Sequence, residues 1–142
     1  MLAALVLGAA VLGAAPAAAE APRAELSNFF CQTAWSPLNR QISVTAVMRP
    51  EPGTERMELR FELLRRLPGY RRFEPVRGGD LGKWIHPNDP TLGQRTADVW
   101  KLQKQVAELY APAVYRFRVT FRWIFAAVSQ DSVLLSSRCA QT

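Results

Sequence analysis

Between residues 115 and 123 the chain reads "YRFRVTFRW", in which Tyr115, Phe117, Val119, Phe121 and Trp123 alternate with Arg116, Arg118, Thr120 and Arg122. A run of period two separates an apolar face from a polar one only in an extended strand, since a helix would scatter the same positions around its axis. The aromatic half is expected to face a core and the arginine half to face solvent. Two more runs share the period: Ile42, Val44, Ala46 and Met48 in "RQISVTAVM", and Met57, Leu59, Phe61 and Leu63 in "RMELRFELL". Pro50, Pro52 and Gly53 in "RPEPGTE" supply a turn between them. A last run, "DSVLLSSRCAQ", closes the chain.

The segments "LPGY" and "GGDLGKWIHPNDPTLGQR" are rich in Gly, Pro and Asp and read as loop or short irregular strand. The segment "ADVWKLQKQVAELYAP" satisfies two templates. Val99, Leu102, Val106 and Leu109 fall at helical spacing, whereas Trp100, Leu102 and Val106 fit a strand interrupted by Lys104. Periodicity alone favours a helix over residues 97–110, whereas a sandwich's need for a neighbouring strand here favours strand, and the segment stays open between the two.

The first residues, "MLAALVLGAAVLGAAPAAAE", carry no charge before Glu20. The apolar run from Leu2 to Leu12 has the length of a signal-peptide core, and Ala17 and Ala19 are the small residues that cleavage requires. No Lys or Arg precedes the run, so the usual basic leader is missing. An uncleaved membrane anchor is the competing reading, because about 20 apolar residues can span a bilayer. The expected organisation is a signal peptide at 1–19, a linker at 20–28 and one β-sandwich domain at 29–142. Composition agrees with a single globular domain, at 49% hydrophobic and 21% charged over 142 residues.

Export would carry Cys31 and Cys139 to a compartment where disulfides persist, and the two are read as one bridge. Its span is 139 − 31 = 108 positions. In the chain-entropy model, closing so long a loop contributes on the order of 4 to 5 kcal/mol. Two separate buried thiols are the alternative.

In "LYAPAVYRFRV", Leu109 would end one strand, Pro112 would sit in the corner and Tyr115 would begin the next strand. This arrangement resembles the tyrosine corner of immunoglobulin-like and fibronectin type III sandwiches. The resemblance implies an all-β fold, a single antiparallel immunoglobulin-like sandwich, in which the Tyr115 hydroxyl bonds back to the backbone. It also implies that the third and sixth strands are neighbours. Glu58, Arg60 and Glu62 would then stand beside Arg116, Arg118 and Arg122 on the outer face. The tail is similar to short exported bacterial proteins in which a Tyr-Arg-x-x-Val-x-Phe-Arg-Trp strand precedes Ser-x-x-Cys-x-Gln, here "YRFRVTFRW" and "SSRCAQ". That similarity implies a secreted or cell-surface location.

Charge adds a candidate site. Lys and Arg number 18 against 12 Asp and Glu, a formal charge of +6. Arg65, Arg66, Arg71 and Arg72 crowd around Tyr70 in the loop "LPGY", and guanidinium forks match phosphate, carboxylate or sulfate. The competing reading is a solvated loop whose arginines pair with Glu62 and Glu74. No recognition helix or zinc-finger spacing points to specific nucleic-acid binding.

Catalytic signatures are scarce. His86 stands alone in "WIHPNDP" without a nucleophile elbow, and Asp80, Asp89 and Asp98 are isolated loop carboxylates. One histidine and two cysteines are too few for a metal site, and "RGGDLGK" lacks the spacing of a phosphate loop. No catalytic, cofactor-binding or metal-ligating residue is assigned, and no cofactor is expected. The expected function is a secreted, non-catalytic binding or structural module for an anionic envelope component or another secreted protein. The alternative is a small secreted hydrolase with loop-borne carboxylates.

Overall fold

The computed structural model describes residues 10, 12–13 and 20–142. Apart from those first three positions, the expected signal peptide lies outside the described residues, as does its cleavage residue Ala19. The described chain is all-β and antiparallel. In order come β1 (Ala24–Gln32), a short 3-10 turn (Pro37–Asn39), β2 (Gln41–Met48), β3 (Arg56–Arg66) and β4 (Glu74–Val76). They are followed by β5 (Trp84–Ile85), β6 (Trp100–Ala107), β7 (Ala113–Ile124), β8 (Ser129–Leu135) and β9 (Cys139–Gln141).

Each of the three alternating runs is a strand, and together they carry the core. The smaller sheet has the order β1-β2-β6. The larger one is centred on β3 and β7, which pair over their whole lengths from Arg56–Ile124 to Arg66–Val114. Two short strands line each outer edge of that pair. β5 and β4 pair successive parts of β3, while β8 and β9 pair successive parts of β7. Ile42, Val44, Ala46 and Met48 from one sheet meet Met57, Leu59, Phe61, Leu63 and the five alternating residues of β7 in one buried cluster. Phe61 and Phe117 pack edge to face at 6.3 Å, a favoured aromatic geometry.

The segment open between helix and strand is strand β6. It fills the free edge of β2 from Gln41–Ala107 to Met48–Trp100, so tertiary pairing overrides its helical periodicity. Lys104, which falls on the inward side of that strand, does so with its ammonium paired to Asp80 of the β4–β5 loop. A satisfied charge makes the position tolerable.

The expected linker is a correction. β1 begins at Ala24, so residues 24–28 belong to the sheet, with Ala24 opposite Met48 and Ser27 opposite Thr45. The alternation is hidden because the register shifts between Ser27 and Phe30, where Asn28 takes a positive φ of 51°. Such a bulge sends neighbouring side chains to unexpected faces, and Asn tolerates that backbone better than most residues.

Cys31 and Cys139 are bonded, with their Cα atoms 5.5 Å apart. The bridge joins β1 of one sheet to β9 of the other and so clasps the two sheets at one edge. The first and last strands are therefore linked across sheets rather than paired side by side. Gln141 reinforces the clasp, its Nε2 donating to the Gln32 carbonyl at 2.9 Å.

Candidate functional site

Strand alternation sends Glu58, Arg60, Glu62, Leu64 and Arg66 of β3 to the outer face of the larger sheet, beside Arg122, Thr120, Arg118, Arg116 and Val114 of β7. The expected charge ladder is there, but its pairing is selective. Arg118 forms a fork to Glu62, Nε to Oε1 at 3.1 Å and Nη2 to Oε2 at 2.8 Å. Arg122 forks to Asp131 of β8, at 2.8 and 2.9 Å, rather than to Glu58 across the strand. Glu58 instead lies 3.4 Å from Nδ1 of His86. Arg118 holds the Glu62 carboxyl below its ordinary value by hydrogen bonding, against an opposing push from burial. Arg122 does the same for Asp131.

Trp84 caps this end of the face. Its ring lies 3.9 Å from the Arg122 guanidinium carbon and 4.6 Å from that of Arg60, distances at which a cation is attracted to the indole face. Thr120, between those arginines, is only 3% exposed although it points away from the core.

The opposite end of the same face is built differently. Phe73, just before β4, has three guanidinium carbons around its ring, those of Arg66, Arg138 and Arg116 at 5.0, 5.6 and 6.0 Å. Leu64, also outward-pointing, is only 6% exposed here. Among the described residues none of the three arginines has an ion-pair partner. Arg116 Nη2 donates to the Ser136 carbonyl at 2.9 Å, and its buried Nε has no hydrogen-bond acceptor.

The four arginines singled out around Tyr70 are divided by the fold. Arg65 and Arg66 are neighbours in β3, so their side chains leave opposite faces. Arg65 sits opposite Tyr115 and Glu74, while Arg66 stacks on Phe73. Leu67 to Tyr70 form a turn closed by the Tyr70 amide to the Leu67 carbonyl at 3.1 Å, with Gly69 at φ 82°. Glycine is needed at such a position because a Cβ would strain it. Arg71 and Arg72 follow, exposed. Of the expected local partners, Glu62 is held by Arg118 and Arg60, and Glu74 makes no ion pair among the described residues.

The Tyr115 side chain bonds back to the chain just before its strand. The Tyr115 hydroxyl donates to the Tyr110 carbonyl at 2.8 Å, Leu109 is buried, and burial pushes the Tyr115 phenol above its ordinary pKa. Tyr70 and Tyr110 remain exposed at this end and, with Arg65, Leu67, Pro68 and Pro112, line a cleft of about 420 Å³.

The remaining titratable candidates are tied to loop structure. Asp80 pairs with Lys104. Asp89 accepts from the Thr91 hydroxyl and amide. Asp98 accepts from the Gly93 and Arg95 amides and from Arg95 Nε. All three carboxyls lie below their ordinary pKa because hydrogen bonds favour the charged form. Among the described residues no group of three or more His, Cys, Asp or Glu could hold a metal ion.

Sequence reasoning missed Phe73 and Arg138 and placed Arg116 in a balanced ladder. One signal was available, the arginine flanking Cys139 in "SSRCAQ". No protein-family model, curated protein or solved structure matches this chain.

Proposed function

We propose that this chain is an exported, non-catalytic binding module of immunoglobulin-like architecture that recognises its partner through charge. The partner class is an anionic component of the cell envelope or another secreted protein with an acidic surface. The carrying observation is the imbalance at one end of the larger sheet. Arg66, Arg71, Arg72, Arg116 and Arg138 have no described carboxylate partner there, whereas Arg118 and Arg122 at the other end are forked to Glu62 and Asp131. The tyrosine corner and the sheet composition support the immunoglobulin-like reading. The disulfide supports an oxidising destination, and the apolar leader with Ala17 and Ala19 supports cleavage on export. His86 near Glu58 faces no activated nucleophile among the described contacts, so nothing favours the hydrolase reading.

The test is retention of the full chain on a phosphocellulose matrix at about 20 mM and about 150 mM salt, which spans the onset of strong screening. Retention at the lower salt and release at the higher one is expected. Passage through the matrix at low salt, like a neutral protein, would defeat the reading.

A further inference from the structure

The β7–β9 register ends at the Tyr115–Cys139 pair, and just beyond it Arg116 and Arg138, the next residue of each segment, both reach the Phe73 ring. On the other side, the β3–β4 register ends at Arg65–Glu74, and just beyond it the Arg66 guanidinium lies 5.0 Å from the Phe73 ring. Two edge segments thus reach across the central pair from opposite sides and bring three guanidinium groups within 6.0 Å of one ring centroid.

Left to itself, this arrangement is unfavourable. Guanidinium groups gathered around one ring repel, no described carboxylate offsets them, and the buried Arg116 Nε, like Arg60 Nε at the other end, lacks an acceptor. A charged donor without an acceptor is costly. The Phe73 ring attracts cations but offers no lone pairs. What the cluster lacks is negative charge carried by several hydrogen-bond acceptors.

We infer that Arg66, Arg116 and Arg138 around Phe73 form a binding site for a multiply charged tetrahedral oxyanion, phosphate or sulfate. The inference rests on the charge-based reading of function and gives it a location and a ligand class. A tetrahedral dianion suits the site better than a carboxylate, because it brings up to two charges and three or more acceptor oxygens to three forks. The donors are also held in advance. Ser136 is buried, its Oγ accepts the Phe117 amide at 2.8 Å, and its carbonyl holds Arg116. Arg138 precedes Cys139, which the disulfide fixes. Side chains already ordered lose less freedom on binding.

The oxyanion can be free or borne on a polymer, and the two sources are separable. Binding of the full chain to inorganic phosphate, inorganic sulfate, acetate and polyphosphate is measured by titration calorimetry at about 20 mM salt, where screening is weak. The variants are Arg116→Gln, Arg138→Gln, Arg71→Gln with Arg72→Gln, and Lys101→Gln on the other sheet as a charge-matched control. Thermal unfolding of each verifies folding, and exposed Arg138 provides a test if the Arg116 variant does not fold. The expected result is that phosphate and sulfate bind and acetate does not. Arg116→Gln and Arg138→Gln each weaken binding about tenfold, the loss of one charge-assisted hydrogen bond. The paired loop substitutions weaken it less, and Lys101→Gln leaves it unchanged. Much tighter polyphosphate than phosphate binding assigns a polymer source, and equal binding assigns a free anion. Polyphosphate binding that survives Arg138→Gln but not the loop substitutions overturns the site while sparing the charge-based function. No binding of any anion by the unaltered chain overturns both.

Discussion

The two ends of the larger sheet's outer face carry the same parts and reach opposite electrostatic states. At one end Trp84 lies against Arg60 and Arg122, and Glu62 and Asp131 take up the charge of Arg118 and Arg122 through paired hydrogen bonds. At the other end Phe73 lies against Arg66, Arg116 and Arg138, and the cross-strand position facing Arg116 on β3 is Leu64. The difference lies in one residue type at each facing position. A carboxylate takes up the charge of the arginine beside it, though Arg60 Nε stays without an acceptor at that end, whereas a leucine leaves a cationic surface open to a ligand. An arginine count cannot separate these cases. Pairing can.

One common core underlies both ends, and Phe121→Ala tests it most strongly. Phe121 is fully buried between Leu59 and Ser132 in the register of the sheet, so truncation should cost about 3 to 5 kcal/mol. Denaturant unfolding should show one transition, weakened as a whole. A large loss confined to amides at the Trp84 end would break the idea of a shared scaffold.

The clasp acts on one end only. Replacing Cys31 and Cys139 together by Ser should cost about 2 to 5 kcal/mol. Amide exchange should rise first around β9 and Arg138, with β5 and the adjoining part of β3 changing least. Equal loosening of both ends would mean that the bridge does not single out the Phe73 end.

A smaller effect is expected at the corner. Tyr115→Phe removes the hydroxyl that bonds the Tyr110 carbonyl, at a cost of about 1 kcal/mol, measurable as a lower midpoint of denaturation. Anion binding should survive it, because Tyr115 points away from the Phe73 face.

The smallest stability change and the sharpest contrast come from Glu62→Gln. Arg118 is 40% exposed, so losing this pair should cost no more than about 1 kcal/mol. The substitution should nevertheless make the Trp84 end resemble the other, adding weak phosphate binding that the unaltered chain lacks there. It should also change the acid limb. The Glu62 pKa is lowered in the folded state, so its contribution is present above the ordinary carboxylate range and is lost as pH falls through the lowered value. In the Gln variant stability should therefore fall less steeply on acidification, as read from denaturation midpoints against pH. An identical pH slope would show that the Arg118 fork contributes nothing to folding.

The strands of the core were legible because burial on one face imposes period two, and β2, β3 and β7 obey it at their inward positions except for Arg65 at the end of β3. The Tyr115 bond to the Tyr110 carbonyl was legible because donor and acceptor lie five positions apart and meet through local geometry. β1 was not, since the bulge at Asn28 breaks its alternation, and β6 was ambiguous until its pairing with β2 decided it. The basic cluster read from "LLRRLPGYRR" was a cluster along the chain only, as strand alternation sends Arg65 and Arg66 to opposite faces.

By itself, then, the sequence determined which side chains face inward on the core strands and which two cysteines there were to pair. Both follow from short-range periodicity or from scarcity. Only the tertiary structure decided which arginines are compensated, because Arg118 finds Glu62 at a separation of 56 positions and Arg116 and Arg138 reach the same Phe73 ring from separate segments. Charge balance is set by register between distant segments, and one step of register exchanges a carboxylate for a leucine.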